Sequence, residues 1–176
     1  MQPRTFAGAL AVAVFSVSMA PVQAQTQAPT DPQIAHIAYT AGAIDVAAAR
    51  QALSKSAEPE IRAFAETMAR DHAAVNDQAL ALAKRLGITP EENPTSEALE
   101  RQASETAARL AELNGAAFDK AYIANEIAFH QAVNSALSEM LIPNARNPEL
   151  KSLLETGLKL FRAHEQHAEQ IGQDRD

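Results

Sequence analysis

P-E-I-R-A-F-A-E-T-M-A-R-D-H-A-A-V-N-D-Q-A-L-A-L-A-K-R-L-G, Pro59 to Gly87, decides the fold. Ile61, Phe64, Ala65, Met68, His72, Val75, Ala79, Leu82 and Leu86 recur at spacings of three and four, which places them on one buried helical face. Pro59 suits the first turn of a helix, where a missing N–H costs nothing, and Gly87 suits its end. One residue on this apolar stripe is a histidine.

The same grammar extends in both directions. Upstream, Asp31-Pro32 reads as N-cap and first helical residue, and Ile34, Ala38, Ala41, Ile44, Ala48 and Ala52 carry a helical period to about Lys55. Downstream, residues 88–95 are rich in turn formers, and Ser96 to Leu113 forms a further, charged helix closed by Asn114-Gly115. Ala117 to Leu141 carries the stripe Phe118, Tyr122, Ile123, Ile127, His130, Val133 and Leu137, and Pro143 stops it. Asn147-Pro148 opens a last helix with Leu150, Leu154, Gly157, Phe161, His164, Ala168 and Ile171, ended by Gly172. Four long helices with short turns inside each pair, and a helix-containing connection between the pairs, predict an all-α, ferritin-like four-helix bundle over 31–172. An up-down-up-down bundle, with the 96–113 helix on its end, is the alternative.

Composition agrees. Of 176 residues, 47% are hydrophobic, mostly alanine and leucine, with no Trp and two Tyr. These are residues that lose little freedom in a helix. The formal charge of −7 and the absence of any basic run argue against nucleic acid or an anionic membrane as partner. The absence of cysteine excludes thiolate metal sites and thiol nucleophiles.

The first 24 residues read as an address. Met1 to Arg4 hold one positive charge, Thr5 to Ala20 are uncharged and apolar or small, and Val22-Gln23-Ala24 offers a cleavage site. A cleaved secretory signal over 1–24 is therefore expected, followed by a flexible lead-in at 25–30 and a frayed tail at 173–176. The expected location is the periplasm, with outer-membrane association or secretion as variants and an envelope protein as a conceivable partner. No later stretch is apolar and long enough to span a bilayer.

Five histidines are present, and His72, His130 and His164 fall in the stripes of three different long helices. Asp45 lies beside the small stripe of the first helix. Asp45, His72 and His130 sit near the middles of their helices, at one height of a bundle, and His164, a little over a turn nearer its helix end, is within reach of the same layer. Four inward polar groups, one per helix, is how bundles build metal sites. Imidazole with carboxylate suits iron, copper, zinc or manganese. Glu126 shares a face with His130 and His167 with His164, while Met68 could add a soft donor. Asp71 points about 100° away from His72 and is expected beside the site or on the surface. His36 is expected to be exposed, Met140 to fill core, and Tyr39 and Tyr122 to pack with a hydroxyl partner. The competing expectation is a hydrogen-bonded histidine network with a purely structural role in an envelope interaction module.

A di-iron carboxylate centre needs Glu-x-x-His on two helices. The residues three before His72, His130, His164 and His167 are Ala69, Ile127, Phe161 and His164. The usual ferroxidase is thus disfavoured, and no Gly-rich phosphate loop or serine nucleophile motif points to another enzyme.

Phe64-Ala65-Glu66-Thr67-Met68-Ala69-Arg70-Asp71-His72 resembles the F-A-x-x-M-x-x-D-H segment of an exported bacterial ferritin-like family. Gly115-Ala116-Ala117-Phe118-Asp119-Lys120-Ala121-Tyr122 resembles its G-x-x-F-D-x-x-Y segment, with His130 following. The chain, over about residues 33 to 171, is similar to domain-of-unknown-function family 4142, whose members are often labelled outer-membrane proteins. The resemblance implies fold and export, and it implies no activity. Members usually carry Glu where Asp45 stands, so this chain keeps the charge on a shorter side chain.

Overall fold

The computed structural model describes residues 28–173. The expected signal at 1–24, residues 25–27 of the lead-in and residues 174–176 of the tail lie outside the described residues. Among the described residues the chain is all-helical: α1 (Asp31–Lys55), α2 (Pro59–Leu86), α3 (Pro94–Ala111), α4 (Gly115–Ala136), a π turn (Leu137–Leu141), the three-residue α5 (Ile142–Asn144) and α6 (Pro148–Gln173). No described helix is long and apolar enough to cross a membrane.

The helix ends follow local chemistry, with four departures from expectation. Asp31 does not cap α1; Thr30 does, and its N–H donates to Gln33 Oε1. The Asp31 carboxylate instead accepts from the backbone of Arg146 (2.8 Å) and Asn147 (2.9 Å), clasping the start of α6 to the start of α1. Next, α3 begins at Pro94 rather than Ser96, because Asn93 caps it by accepting from Thr95 N and Ser96 N. Similarly, α4 starts at Gly115, whose φ is +54°, after Asn114. Finally, Pro143 does not stop the chain. The backbone widens into the π turn, with Ile142 N donating to Leu137 O, and continues helically through the proline to Asn144. A proline ring crowds the carbonyl four residues back and cannot donate to it, and a wider turn relieves both problems. By contrast α2 keeps its expected bounds, closed by Gly87 at φ +66°.

The directions of the helices follow from their contacts. Three residues join α1 to α2, and the two pack along their lengths, hence antiparallel. Arg85 near the end of α2 meets Glu149 at the start of α6 at 2.6 Å, so α2 and α6 are antiparallel too. The helix α4 packs mainly on α6. The crossover helix α3 lies alongside α1 rather than on the end of the bundle: Asn93 Nδ2 donates to Gln33 O at one end, while Gln51 and Lys55 donate to Ala107 O and Ala111 O at the other. At one point α1 and α2 approach so closely that a Cβ on Gly42 would stand 2.3 Å from Asn76 Oδ1. A cavity of about 600 Å³ opens between α1, α3 and α4, and Phe161 forms part of its wall.

The apolar interior is in two parts. One gathers Ile61, Phe64, Met68, Phe118, Tyr122 and Ile171. The other gathers Ile34, Ile37, Leu137, Leu141, Leu150 and Phe161. On each long helix the polar residues of interest fall between these two clusters.

Candidate metal centre

Each wall of this middle layer supplies one or two polar side chains: Asp45 from α1, His72 from α2, Glu126 and His130 from α4, and His164 from α6. The three histidines lie within the apolar period of their helices, and Asp45 and Glu126 at its edge, so folding the stripes inward carries all five into the interior. Asp45, Glu126 and His130 are each 1% exposed, His72 is 3% and His164 is 4%. All four residues of the set expected from the sequence therefore meet in one place, and Glu126 joins them. The ring centroids form a nearly equilateral triangle: 5.5 Å from His72 to His130, 5.2 Å from His72 to His164 and 5.6 Å from His130 to His164. Ligating atoms of His72, His130 and His164 all lie within 4.8 Å of one another, and so do those of Asp45, Glu126 and His130.

Hydrogen bonds fix which ring nitrogens are free. His130 Nδ1 lies 3.0 Å from the Glu126 backbone carbonyl. A carbonyl only accepts, so Nδ1 carries the proton and Nε2 keeps the lone pair. His164 Nε2 lies 3.1 Å from Asp71 Oδ2, which likewise places the proton on Nε2 and leaves Nδ1 free. Asp71 is held in turn by Arg70, whose Nε donates to Oδ1 at 2.8 Å. His72 is oriented by stacking on Phe161, 4.5 Å away at 10° between planes.

The free atoms do not satisfy one another. His72 Nε2 is 3.0 Å and His130 Nε2 is 3.4 Å from Asp45 Oδ2, yet neither approach has the alignment of a hydrogen bond. Both Asp45 oxygens, both His72 nitrogens, His130 Nε2, His164 Nδ1 and Glu126 Oε2 are buried and lack a hydrogen-bond partner. Buried polar atoms are nearly always paired, because an unmet one forfeits its hydration. The lone pair of His130 Nε2 facing a carboxylate oxygen is favourable only with a cation, a proton or a metal ion, between them.

Burial first, then the neighbouring imidazoles, bring His72 down to about 4, against the upward pull of Asp45. Burial also lowers His164, opposed by its bond to Asp71. Burial, reinforced by Asp45, raises Glu126 well above the usual carboxyl range. For Asp71 burial pushes upward, but the bonds from Arg70 and His164 outweigh it and hold the group below its ordinary value. His72 and His164 are thus held as neutral imidazoles at neutral pH, the form that binds metals.

The remaining candidates lie elsewhere. His167 is exposed and packs edge-on against Phe64, 5.2 Å between centroids, outside both ligand groups. Met68 is fully buried in the apolar cluster with Phe64 and Tyr122. His36 is half-buried, its Nδ1 3.5 Å from Thr40 Oγ1. The Tyr122 hydroxyl, expected to find a partner, is buried without one. The full burial of Glu126 was not foreseen from the sequence, whereas Asp71, expected beside the site or on the surface, lies at its rim in contact with His164. For Glu126 a signal existed, four residues before a stripe histidine. For Asp71 no periodicity could show it, since the partner lies 93 positions away.

Among solved structures, one described as "CopM in the Cu(II)-bound form" is similar with a TM-score of 0.63 at 19% identity, covering 84% of this chain and 98% of that one. At that identity the likeness is one of fold. No curated protein matches. A family model described as "Domain of unknown function (DUF4142)" matches residues 17–171, nearly the whole chain, on which ground the protein belongs to that family.

Proposed function

We propose that this protein binds a transition-metal ion in the middle layer of its bundle, through His72, His130 Nε2 and His164 Nδ1 with the Asp45 carboxylate as an anionic donor. The observation that carries this reading is the set of buried, converging, partnerless donor atoms, two of them left free by hydrogen bonds on the far side of their rings. An acceptor on the second ring nitrogen is the arrangement that orients histidines at metal sites. Three imidazoles and a carboxylate suit Cu(II) or Zn(II) over hard cations, and the affinity order of divalent metals places Cu(II) first. The Cu(II)-bound state of the similarly folded CopM supports the same first choice. The helix directions, with two antiparallel pairs linked by a crossover helix, support a ferritin-like bundle as the scaffold. The signal-like pattern of 1–24, a charged start, an apolar run and Val22-Gln23-Ala24, supports export to the periplasm as the place of action, which N-terminal sequencing of the native protein tests: Gln25 as first residue is expected, and retained Met1 would refute it.

A purely hydrogen-bonded histidine network is the poorer account. His72 has no hydrogen bond at either nitrogen, whereas such a network needs one.

Titration of chelator-treated protein with Cu(II), Zn(II), Fe(II) and Mn(II), read by calorimetry and by thermal melting, tests the proposal. Cu(II) is expected to bind most tightly, and a hundredfold excess over Kd raises stability by about 2.7 kcal/mol. Melting curves and heats indifferent to all four metals would sink it.

A further inference from the structure

We infer that the centre has a second cation position, adjoining the first and built from Asp45, Glu126 and His130, so that it takes two ions bridged by Asp45. This rests on the metal-binding reading above and adds to it a stoichiometry and a different donor set.

Three observations lead here. First, the ligating atoms fall into two overlapping groups rather than one: three imidazoles in the first, and two carboxylates with one imidazole in the second. Second, the acidic members are not solvated charges. Glu126 and Asp45 are each 1% exposed, no donor from elsewhere in the described residues reaches Glu126 Oε2 or either Asp45 oxygen, and the two carboxyls lie close enough to share a proton, the place a second cation would take. The other Glu126 oxygen has a weak donor, Asn125 Nδ2 at 3.5 Å, which leaves Oε2 to face the interior. Third, His130 belongs to both groups but cannot serve both. Its Nδ1 proton is given to the Glu126 carbonyl, and the single lone pair on Nε2 binds one ion at a time.

The sharing is resolved by Asp45. Its Oδ2 stands between the two rings, 3.0 Å from His72 Nε2 and 3.4 Å from His130 Nε2, and its Oδ1 is a second donor. With one ion bound, the three histidines and Asp45 Oδ2 form the donor set. With two bound, the first ion keeps His72, His164 and one Asp45 oxygen. The second takes His130, Glu126 and the other Asp45 oxygen. Carboxylate-bridged ion pairs sit about 3.5–4 Å apart, which the compact groups here accommodate. The two positions differ in chemistry: the nitrogen-rich one favours Cu(II) or Zn(II), and the oxygen-rich one also accepts harder ions such as Mn(II).

Native mass spectrometry and calorimetry of the protein with Cu(II) test this, using two variants that touch different positions. The unaltered protein is expected to take two Cu(II), and its paramagnetic resonance intensity should fall below one spin per copper through coupling across the bridge. Glu126→Gln is expected to take one Cu(II), with the first affinity changed less than threefold. His164→Gln is expected to loosen the first ion at least tenfold. Should Glu126→Gln fail to fold, Glu126→Asp, which keeps the carboxylate, is expected to weaken only the second ion. A single, magnetically isolated Cu(II) in the unaltered protein would overturn the second position and leave the first intact. So would two ions in Glu126→Gln, or a second-ion affinity unchanged in Glu126→Asp. No copper at all would remove both readings.

Discussion

The proton on His164 is placed by a residue on the rim. Asp71 is partly exposed, touches His164 Nε2, and is itself held by Arg70. It presents an acceptor that obliges the ring to turn its Nδ1 lone pair inward. Replacing Asp71 by Asn leaves an amide that can offer either a donor or an acceptor. Copper affinity, measured by competition with a chromophoric chelator, should fall 10- to 100-fold in Asp71→Asn. Glu at the same position should recover most of it, and an unchanged Kd in Asp71→Asn would refute the role. Phe161 acts on His72 through packing: Phe161→Ala removes a buried ring that stacks on the imidazole and walls the cavity, at a cost of about 3–5 kcal/mol seen in denaturant titration. At this scale the sequence announced His72, His130, His164 and Asp45, because helical period alone says which face a residue occupies. It left Glu126 ambiguous, since a charged residue at a stripe's edge is buried or solvated according to what packs opposite.

Helix bounds were legible wherever a cap or a proline acts through its nearest neighbours, as at Pro59 with Gly87 and at Asn147, whose Oδ1 accepts from Glu149 N and Leu150 N. They were misread where a distant group competes. Asp31 looks like a cap, but its carboxylate is drawn to the backbone of Arg146 and Asn147. Pro143 looks like a stop, but the π turn absorbs it. The close passage of α1 over α2 at Gly42 carries its own prediction. In Gly42→Ala the new methyl would collide with the Asn76 amide, whose Nδ2 already donates to Tyr39 O. Overpacking of this kind costs about 1–3 kcal/mol, and a second change, Asn76→Ala, should return part of it. Equal melting temperatures for Gly42→Ala and the unaltered protein would show that the helices are not held at this distance.

Across the molecule, a polar layer between two apolar clusters ties stability to pH. His72 sits at about 4 in the fold against 6.5 in an unfolded chain. Between those values the unfolded state holds more protons, so stability rises with pH across the window and is lost as pH falls toward 4. For the metal-free protein this amounts to on the order of 3 kcal/mol from His72 alone, with His164 adding in the same direction. Glu126 works oppositely, since a raised carboxyl pKa costs stability as pH climbs above the ordinary carboxyl range. Chelator-treated Glu126→Gln protein, in which that opposing contribution is gone, should therefore lose melting temperature stepwise at pH 6.5, 5.5 and 4.5, and a flat series would contradict the neutral, buried imidazole. The all-helical architecture could be read from the sequence because alanine-rich stripes and punctuation agree along the whole chain. The placement of α3 could not, because the hydrogen bonds that lay it along α1 run from side chains such as Gln51 and Lys55 to backbone carbonyls, which no sequence pattern marks.

The π turn has a consequence for how this chain tolerates changes in length. A π turn is an α-helix holding one residue more than its turns require. Deleting a single residue within Leu137–Leu141 would therefore restore ordinary α-helical winding while the segments on either side keep their phase. His130 and Glu126 upstream, and His164 with the Arg146–Asn147 backbone downstream, would hold their places, but Pro143 would lose the wider turn that relieves its crowding of the carbonyl four residues back. The deletion should therefore spare copper binding and the clasp between the starts of α1 and α6 while costing stability at the proline, making this the seam at which the helix can be shortened without retuning the centre.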